Sequence, residues 1–297
     1  MKQWLRKILP NPLEKILCQA RKESKKKFLL FWNRGLGDIP LGLYGLCKHI
    51  RHTINDAKIT FLTRKDLEEG FSLLQKVDLI IDPNLQRGGT YDLDYVLSKL
   101  KKEGLHFDIL IKNPDPTRWL YFQLGRVTPK LDWNPHWDHL STKFHLQERC
   151  IGVHINTETG SHYNYEKNWP IENWKALLQR LTKTKVLLFG LLPSPAFSFP
   201  HVIDLRGKTT LLEMIAIIRN HCHTLIAPDS GVLSIIYYID QTSPLKVISL
   251  WADPKQGVLR QKVPSPNSHL YHLPIIAPAK QMRNILVDRV EKAILYG

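Results

Sequence analysis

The feature that most constrains this chain is an alternation of short apolar runs with amphipathic stretches, which runs once, breaks, and runs again. Residues 28–32, 58–63, 77–82 and 107–112 are apolar, β-rich and too short for buried helices, so they predict strands. Between and after them, residues 38–52, 66–76 and 90–103, and a stretch from about 116, carry helical patterns. Residues 127–149 are rich in Trp, His, Pro and Asp without periodicity, which predicts an interdomain linker. The rhythm then restarts. Strands are predicted at 151–156, 185–190, 202–205, 224–227 and 245–251, and helices from about 170, at 209–220, at 231–238 and at 279–295. Apolar strands joined by helices require parallel sheets covered on both faces. The expected fold class is therefore α/β, with two doubly wound units at 28–145 and 146–278, a basic arm at 1–27 and a C-terminal helix at 279–297. Ligands of such sheets lie at the carboxyl ends of the strands where strand order reverses, and a cleft between two units is the expected active site.

Charge narrows the partners. The formal net charge is +15, and the first 27 residues hold nine Lys or Arg against Glu14 and Glu23. That balance favours anionic partners: nucleic acid, acidic lipid or phosphorylated sugars. In the arm, Trp4, Leu5, Ile8, Leu9, Leu13, Ile16 and Leu17 recur at helical spacing. Two readings follow with equal weight: a helix lying on an anionic membrane surface, or a helix covering the first domain and leading into a basic linker. Cys18, Cys47, Cys150 and Cys222 form no CxxC pair and read as free thiols of a reducing compartment. The basic start lacks an uninterrupted apolar stretch, and no run approaches the ~18 apolar residues of a membrane span. A cytoplasmic enzyme body is expected, peripheral on the inner face of the membrane if the arm binds lipid.

Four motifs could carry chemistry. Asn33-Arg34-Gly35-Leu36-Gly37-Asp38 follows the first strand; its glycines allow close approach of a ligand, and Asp38 could accept a proton from an attacking hydroxyl. The same residues could simply form a glycine-rich turn with Asp38 as a helix cap. Glu166-Lys167-Asn168-Trp169-Pro170 puts a lysine before a helix N-terminus, where anions are favoured; otherwise Lys167 is a solvated loop residue. Pro228-Asp229-Ser230-Gly231 joins a strand to a helix and offers hydroxyl and N–H groups to a phosphate, or merely an N-capping turn. Asp204-Leu205-Arg206-Gly207-Lys208-Thr209-Thr210 lacks the spacing of a phosphate-binding loop and reads as structural, with Thr209 or Thr210 capping and Glu213 answering. The histidines, including the groups His136, His139, His145 and His221, His223, have no ligand spacing, so surface or packing roles and no metal site are expected.

Taken in order, Gly-Leu-Gly-Asp, Lys-Asn-Trp-Pro, Asp-Leu-Arg-Gly-Lys-Thr and Asp-Ser-Gly resemble the bacterial heptosyltransferase family, glycosyltransferase family 9. The similarity covers roughly residues 28–255 and includes Phe107-Asp108-Ile109-Leu110 and Trp174. The resemblance implies a GT-B fold, an acceptor-binding first domain and a nucleotide-sugar-binding second one. It also implies an inverting, metal-independent transfer of heptose from an ADP-linked donor to the acidic core of lipopolysaccharide. On it, Asp38 is the catalytic base, with Arg34, Gly35 and Gly37 on the acceptor side. Lys167, Asp229, Ser230 and Gly231 bind the donor, and no cofactor is needed. Ser234 stands where the family usually has histidine, and Trp251-Ala252-Asp253-Pro254 replaces a Gly-Pro-Thr type of loop. Two alternatives differ in class: a relative that uses another nucleotide sugar or only binds, and a nucleic-acid-binding protein. The latter ranks well below, because the charge gathers in the arm and no nucleic-acid motif is present.

Overall fold

A computed structural model describes residues 12–89, 91–115, 124–146, 149–157 and 166–296. The chain divides into two compact units between Pro129 and Lys130. The first contains α1 (Pro12–Lys22), β1 (Lys27–Trp32), α2 (Tyr44–Thr53), β2 (Lys58–Thr63), α3 (Glu68–Phe71), β3 (Val77–Ile81), α4 (Leu93–Lys102) and β4 (Ile109–Ile111). Its four strands are all parallel, in the order β3-β2-β1-β4. Leu29 and Leu62 pack with Leu100, Val96 and Leu97 of α4 under one face. The helix expected at 66–76 shortens to a 3₁₀ turn at Lys65–Leu67, α3 and further tight turns around Gly70, a poor residue for a helix interior. The helix expected from 116 begins outside the described residues.

The described part of the basic arm is not a separate element. α1 buries Leu13, Leu17 and Ala20 completely, and Glu14 meets His49 of α2 at 2.6 Å. Its apolar stripe is spent on the first unit, leaving Lys15, Arg21 and Lys22 outside. For residues 12–22 the covering helix is therefore the observed role; residues 1–11 lie outside the described part.

The second unit contains β5 (Cys150–His154), α5 (Ile171–Arg180), β6 (Val186–Phe189), β7 (Val202–Asp204), α6 (Leu211–His221), β8 (Cys222–Pro228), α7 (Gly231–Tyr238), β9 (Leu245–Trp251), α8 (Gly257–Gln261), β10 (Leu270–Ile276) and α9 (Val287–Tyr296). All six strands are parallel, in the order β10-β9-β8-β5-β6-β7. β5 and β6 are buried along their whole length, as strands covered on both faces must be. Under one face Ile151, Val153 and Ile155 pack with Trp169, Trp174 and Leu177 and with Val290 and Ile294 of α9. β10 was not expected, because Pro274 interrupts its pattern. As an edge strand it tolerates a residue without an N–H. The C-terminal helix begins at Val287 rather than 279, after two 3₁₀ turns.

The segment read as a linker is largely part of this second unit. Leu131 bridges Ile239 in parallel fashion, its N–H donating to the Tyr238 carbonyl at 2.8 Å. A 3₁₀ helix at Pro135–Phe144 then docks on α6. Asp138 accepts from Trp133 Nε1 and Arg219 Nε, both at 2.9 Å, and the Arg219 guanidinium lies 5.0 Å from the Trp133 ring centre. The boundary therefore falls near 129 rather than 145, because these contacts are side-chain pairs that no periodicity announces.

The Asp204–Thr210 stretch is structural. Thr210 and Glu213 form a reciprocal capping box at the start of α6. Arg206 is buried; its Nη2 donates to Asp204 at 2.6 Å and to the Pro193 and Pro195 carbonyls at 2.9 and 2.7 Å. No group of histidines, cysteines and carboxylates able to hold a metal occurs among the described residues. All four cysteines are free thiols.

Candidate active site

In the second unit the strand order reverses between β5 and β8, so the loops leaving these two strands lie side by side at the carboxyl edge. The loop after β8 is Pro228-Asp229-Ser230. Ser230 has extended backbone angles, and its Oγ accepts from Leu233 N–H at 3.1 Å, capping α7. The hydroxyl is thus engaged in capping, while Gly231 and Val232, in the first turn, hold N–H groups for which a helix has no internal partner. Ser234 is buried, and its hydroxyl donates back to the Ser230 carbonyl at 3.0 Å.

The loop after β5 delivers Lys167 to the same place. Its ammonium lies 3.0 Å from Asp229 Oδ2, and both side chains are nearly buried, at 10% and 7% exposure. The neighbours of Lys167 explain why it arrives there. Asn168 accepts from Thr157 N–H at 2.8 Å and donates to the Thr157 carbonyl at 3.1 Å, closing the loop base. Glu166 accepts from Met282 N–H at 2.6 Å, and Trp169 is buried with Nε1 donating to the Ile285 carbonyl at 2.9 Å. Three of the four residues fix backbone, and the lysine is the one sent to the carboxylate.

His154 ends β5, 6% exposed, its Nδ1 without a partner among the described residues, and burial pushes its pKa down to about 4, so it is neutral at pH 7. Gly257 was also unmarked in the sequence reading. A Cβ on it would lie 2.5 Å from Asp229 Oδ1. A glycine in a loop with no periodicity gives no local signal for such a contact.

In the first unit the glycine-rich loop follows β1, beside the reversal between β1 and β4. Asp38 N–H donates to the Gly35 carbonyl at 3.3 Å and Leu41 N–H to the Gly37 carbonyl at 3.2 Å, so the turn is tight. A π-helical turn at Ile39–Leu43 follows, with Pro40 supplying no N–H, before α2 begins. Asp38 stands at the cap position, but its side chain makes no capping hydrogen bond. Its Oδ2 lies 3.1 Å from where a Cβ on Gly35 would stand, and an Arg87 guanidinium nitrogen lies 3.7 Å from the same point. Any side chain at position 35 would crowd the carboxylate.

Arg34 is exposed, with its guanidinium 5.7 Å from the centre of the Trp32 ring; its carbonyl accepts from Arg64 at 3.3 Å. Arg64, buried just after β2, also pairs with Asp66 at 2.9 Å. The loops after β1, β2 and β3 thus each bring an arginine: 34, 64 and 87. Only Arg34 was expected from sequence, since the other two stand in no motif.

Residues 137–237 match the profile of glycosyltransferase family 9 (heptosyltransferase), a span holding Lys167 and the Asp229-Ser230-Gly231 loop but not Asp38. Sequence comparison with curated proteins returns no match. Among solved structures, the Escherichia coli ADP-heptose LPS heptosyltransferase II aligns with a TM-score of 0.65 at 15% identity, over 91% of this chain and 97% of that one. The family 9 glycosyltransferase of Veillonella parvula DSM 2008 aligns at 0.61 and 17% identity, over 91% and 96%. E. coli heptosyltransferase WaaC with ADP aligns at 0.54 and 13%, over 90% and 96%. The two parallel-sheet α/β units are those of a GT-B fold.

Proposed function

Because the chain carries a glycosyltransferase family 9 domain at residues 137–237, we propose that it transfers a sugar, heptose in the first instance, from an ADP-linked donor to a phosphorylated glycolipid core. The observation that carries this reading is the Lys167–Asp229 pair beside the N-terminus of α7, at the strand-order reversal of that domain. A lysine beside the first N–H groups of a helix favours a diphosphate. Solved relatives of the same fold carry ADP or name ADP-heptose, which makes ADP the first nucleotide to test.

The chemistry is a single displacement. The acceptor hydroxyl gives its proton to the Asp38 carboxylate as its oxygen attacks the anomeric carbon from the face opposite the nucleotide. The bond from that carbon to the diphosphate breaks, the glycosidic bond forms with inversion, and ADP leaves with the electron pair. Lys167 and the α7 N–H groups stabilise the charge that builds on the diphosphate; this is positive charge supplied by the chain itself. Arg34, with Arg87, gives the Asp38 side positive charge suited to a phosphorylated acceptor, and Arg64 holds the Arg34 backbone beneath it.

The inner face of the cytoplasmic membrane is the place such an acceptor would be met. No described helix is long and apolar enough to cross a membrane, and the basic residues of the arm remain to meet anionic lipid. Replacing Lys15, Arg21 and Lys22, which α1 leaves outside, with Gln should lower sedimentation with anionic vesicles.

The reading is tested by melting the protein with ADP and then supplying ADP-heptose with deacylated core glycolipid, product detected by mass. ADP should raise the melting temperature and a heptosylated product should form. ADP binding without transfer from any nucleotide sugar would favour a relative that only binds. Stabilisation by duplex DNA and by no nucleotide would replace the reading altogether.

A further inference from the structure

A line of contacts runs from β10 through β9 to the Lys167–Asp229 pair, and the displacement described above uses none of it. Gly257 opens α8 with φ +47°. A Cβ built on it would lie 2.5 Å from Asp229 Oδ1 and 2.6 and 2.7 Å from Trp251 Cη2 and Cζ3. The bare Cα of Gly257 is therefore the surface on which both the carboxylate and the indole edge rest, and no other residue type fits there without moving one of them.

The indole is itself fixed. Trp251 is fully buried at the end of β9, and its Nε1 donates to Ser249 Oγ at 2.6 Å. Ser249 is fully buried as well and stands 2.7 Å from His272 Nε2 on β10. The hydroxyl accepts from the indole and still has its proton to give; burial keeps His272 neutral, its pKa pushed down to about 4, and in its Nδ1–H tautomer Nε2 accepts that proton. Tyr237 closes the other side, its ring edge-on to the imidazole at 5.0 Å. Turning the Trp251 ring would strand a buried N–H, which is costly.

We propose that Trp251 and Gly257 are positioning residues. The anchored indole holds the Gly257 backbone against Asp229, sets the carboxylate, and through it sets the Lys167 ammonium to which the donor diphosphate binds. The last step rests on the donor reading above; the positioning of Lys167 does not.

The test uses the full-length chain in three forms: wild type, Gly257→Ala and Trp251→Phe. Two quantities are read: the rate at which acetic anhydride modifies Lys167 at pH 8, by peptide mass spectrometry, and the Kd for ADP, by calorimetry. Lys185, remote in sequence from the pair, serves as the internal reference for labelling. In Gly257→Ala the displaced carboxylate leaves Lys167 without its counter-ion, so its labelling should rise about fivefold relative to Lys185 and the ADP Kd should weaken about tenfold. Trp251→Phe, which withdraws the ring edge, should change both in the same direction and by less. If both variants melt cooperatively with wild-type Lys167 labelling and wild-type Kd, Trp251 and Gly257 merely pack and the proposal is overturned. Should Gly257→Ala not fold, Trp251→Phe alone decides. If wild type binds no ADP while the labelling changes persist, the donor reading fails and the positioning stands.

Discussion

Replacing Lys167 with Met removes the cation of a nearly buried pair and leaves its anion in place. At 3.0 Å and an effective dielectric of about 20, the attraction between Lys167 and Asp229 is about 5.5 kcal/mol, much of it offset by the desolvation of two ions. The variant loses the attraction and keeps the desolvation of Asp229. Breaking a buried ion pair by removing one partner costs about 3 to 5 kcal/mol. Lys167→Met should therefore lose about 3 to 4 kcal/mol. Asp229→Asn should lose less, about 1 to 2 kcal/mol, because a lysine stem can swing its ammonium to water. The double variant should lie within about 1 kcal/mol of wild type, giving a coupling of at least about 3 kcal/mol. Urea unfolding followed by tryptophan fluorescence measures this, since five of the eight tryptophans lie in the second unit. A Lys167→Met protein within 1 kcal/mol of wild type would mean that other groups hold Asp229 and that the pair is incidental.

Asp38→Asn should leave ADP affinity unchanged and lower turnover by about 10²- to 10⁴-fold, read by mass-detected transfer; undiminished transfer removes Asp38 from the mechanism. His154 is neutral in the fold with a pKa of about 4 against an ordinary 6.5, so the unfolded chain binds its proton first. Its share of stability, about 3 kcal/mol, is present above pH 6.5 and lost as pH falls to 4, and His154→Gln should flatten the stability curve over that window. Arg206→Ala should cost about 1 to 3 kcal/mol by taking the buried donor away from Asp204 and two carbonyls; a change in urea midpoint worth less than about 0.5 kcal/mol would contradict the clamp. Thr210→Ala should cost about 1 kcal/mol, the loss of one helix cap, by the same measurement.

The parts of this protein that were legible in its sequence are those written in local pattern. Alternating apolar runs identified nine of the ten strands as β1 through β9, and the capping box at Thr210 and Glu213 could be read from spacing alone. β10 escaped because Pro274 spoils a strand pattern everywhere except at an edge, and edges are not marked in sequence. Asp38 and Ser230 show a subtler limit. Both stand at helix-cap positions, yet only Ser230 caps with its side chain. Which choice a side chain makes depends on neighbours such as Gly35 and Arg87 that spacing does not rank.

By itself the sequence determined an α/β chain of two parallel-sheet units and the order of its loop motifs, because hydrophobic period and capping chemistry act within a few residues. Only the tertiary structure decided that β5 and β8 are neighbours, that Lys167 therefore meets Asp229, and that Gly257 and Trp251 brace the carboxylate. Strand order is set by how helical crossovers pack back on a sheet, a long-range outcome that no local period records.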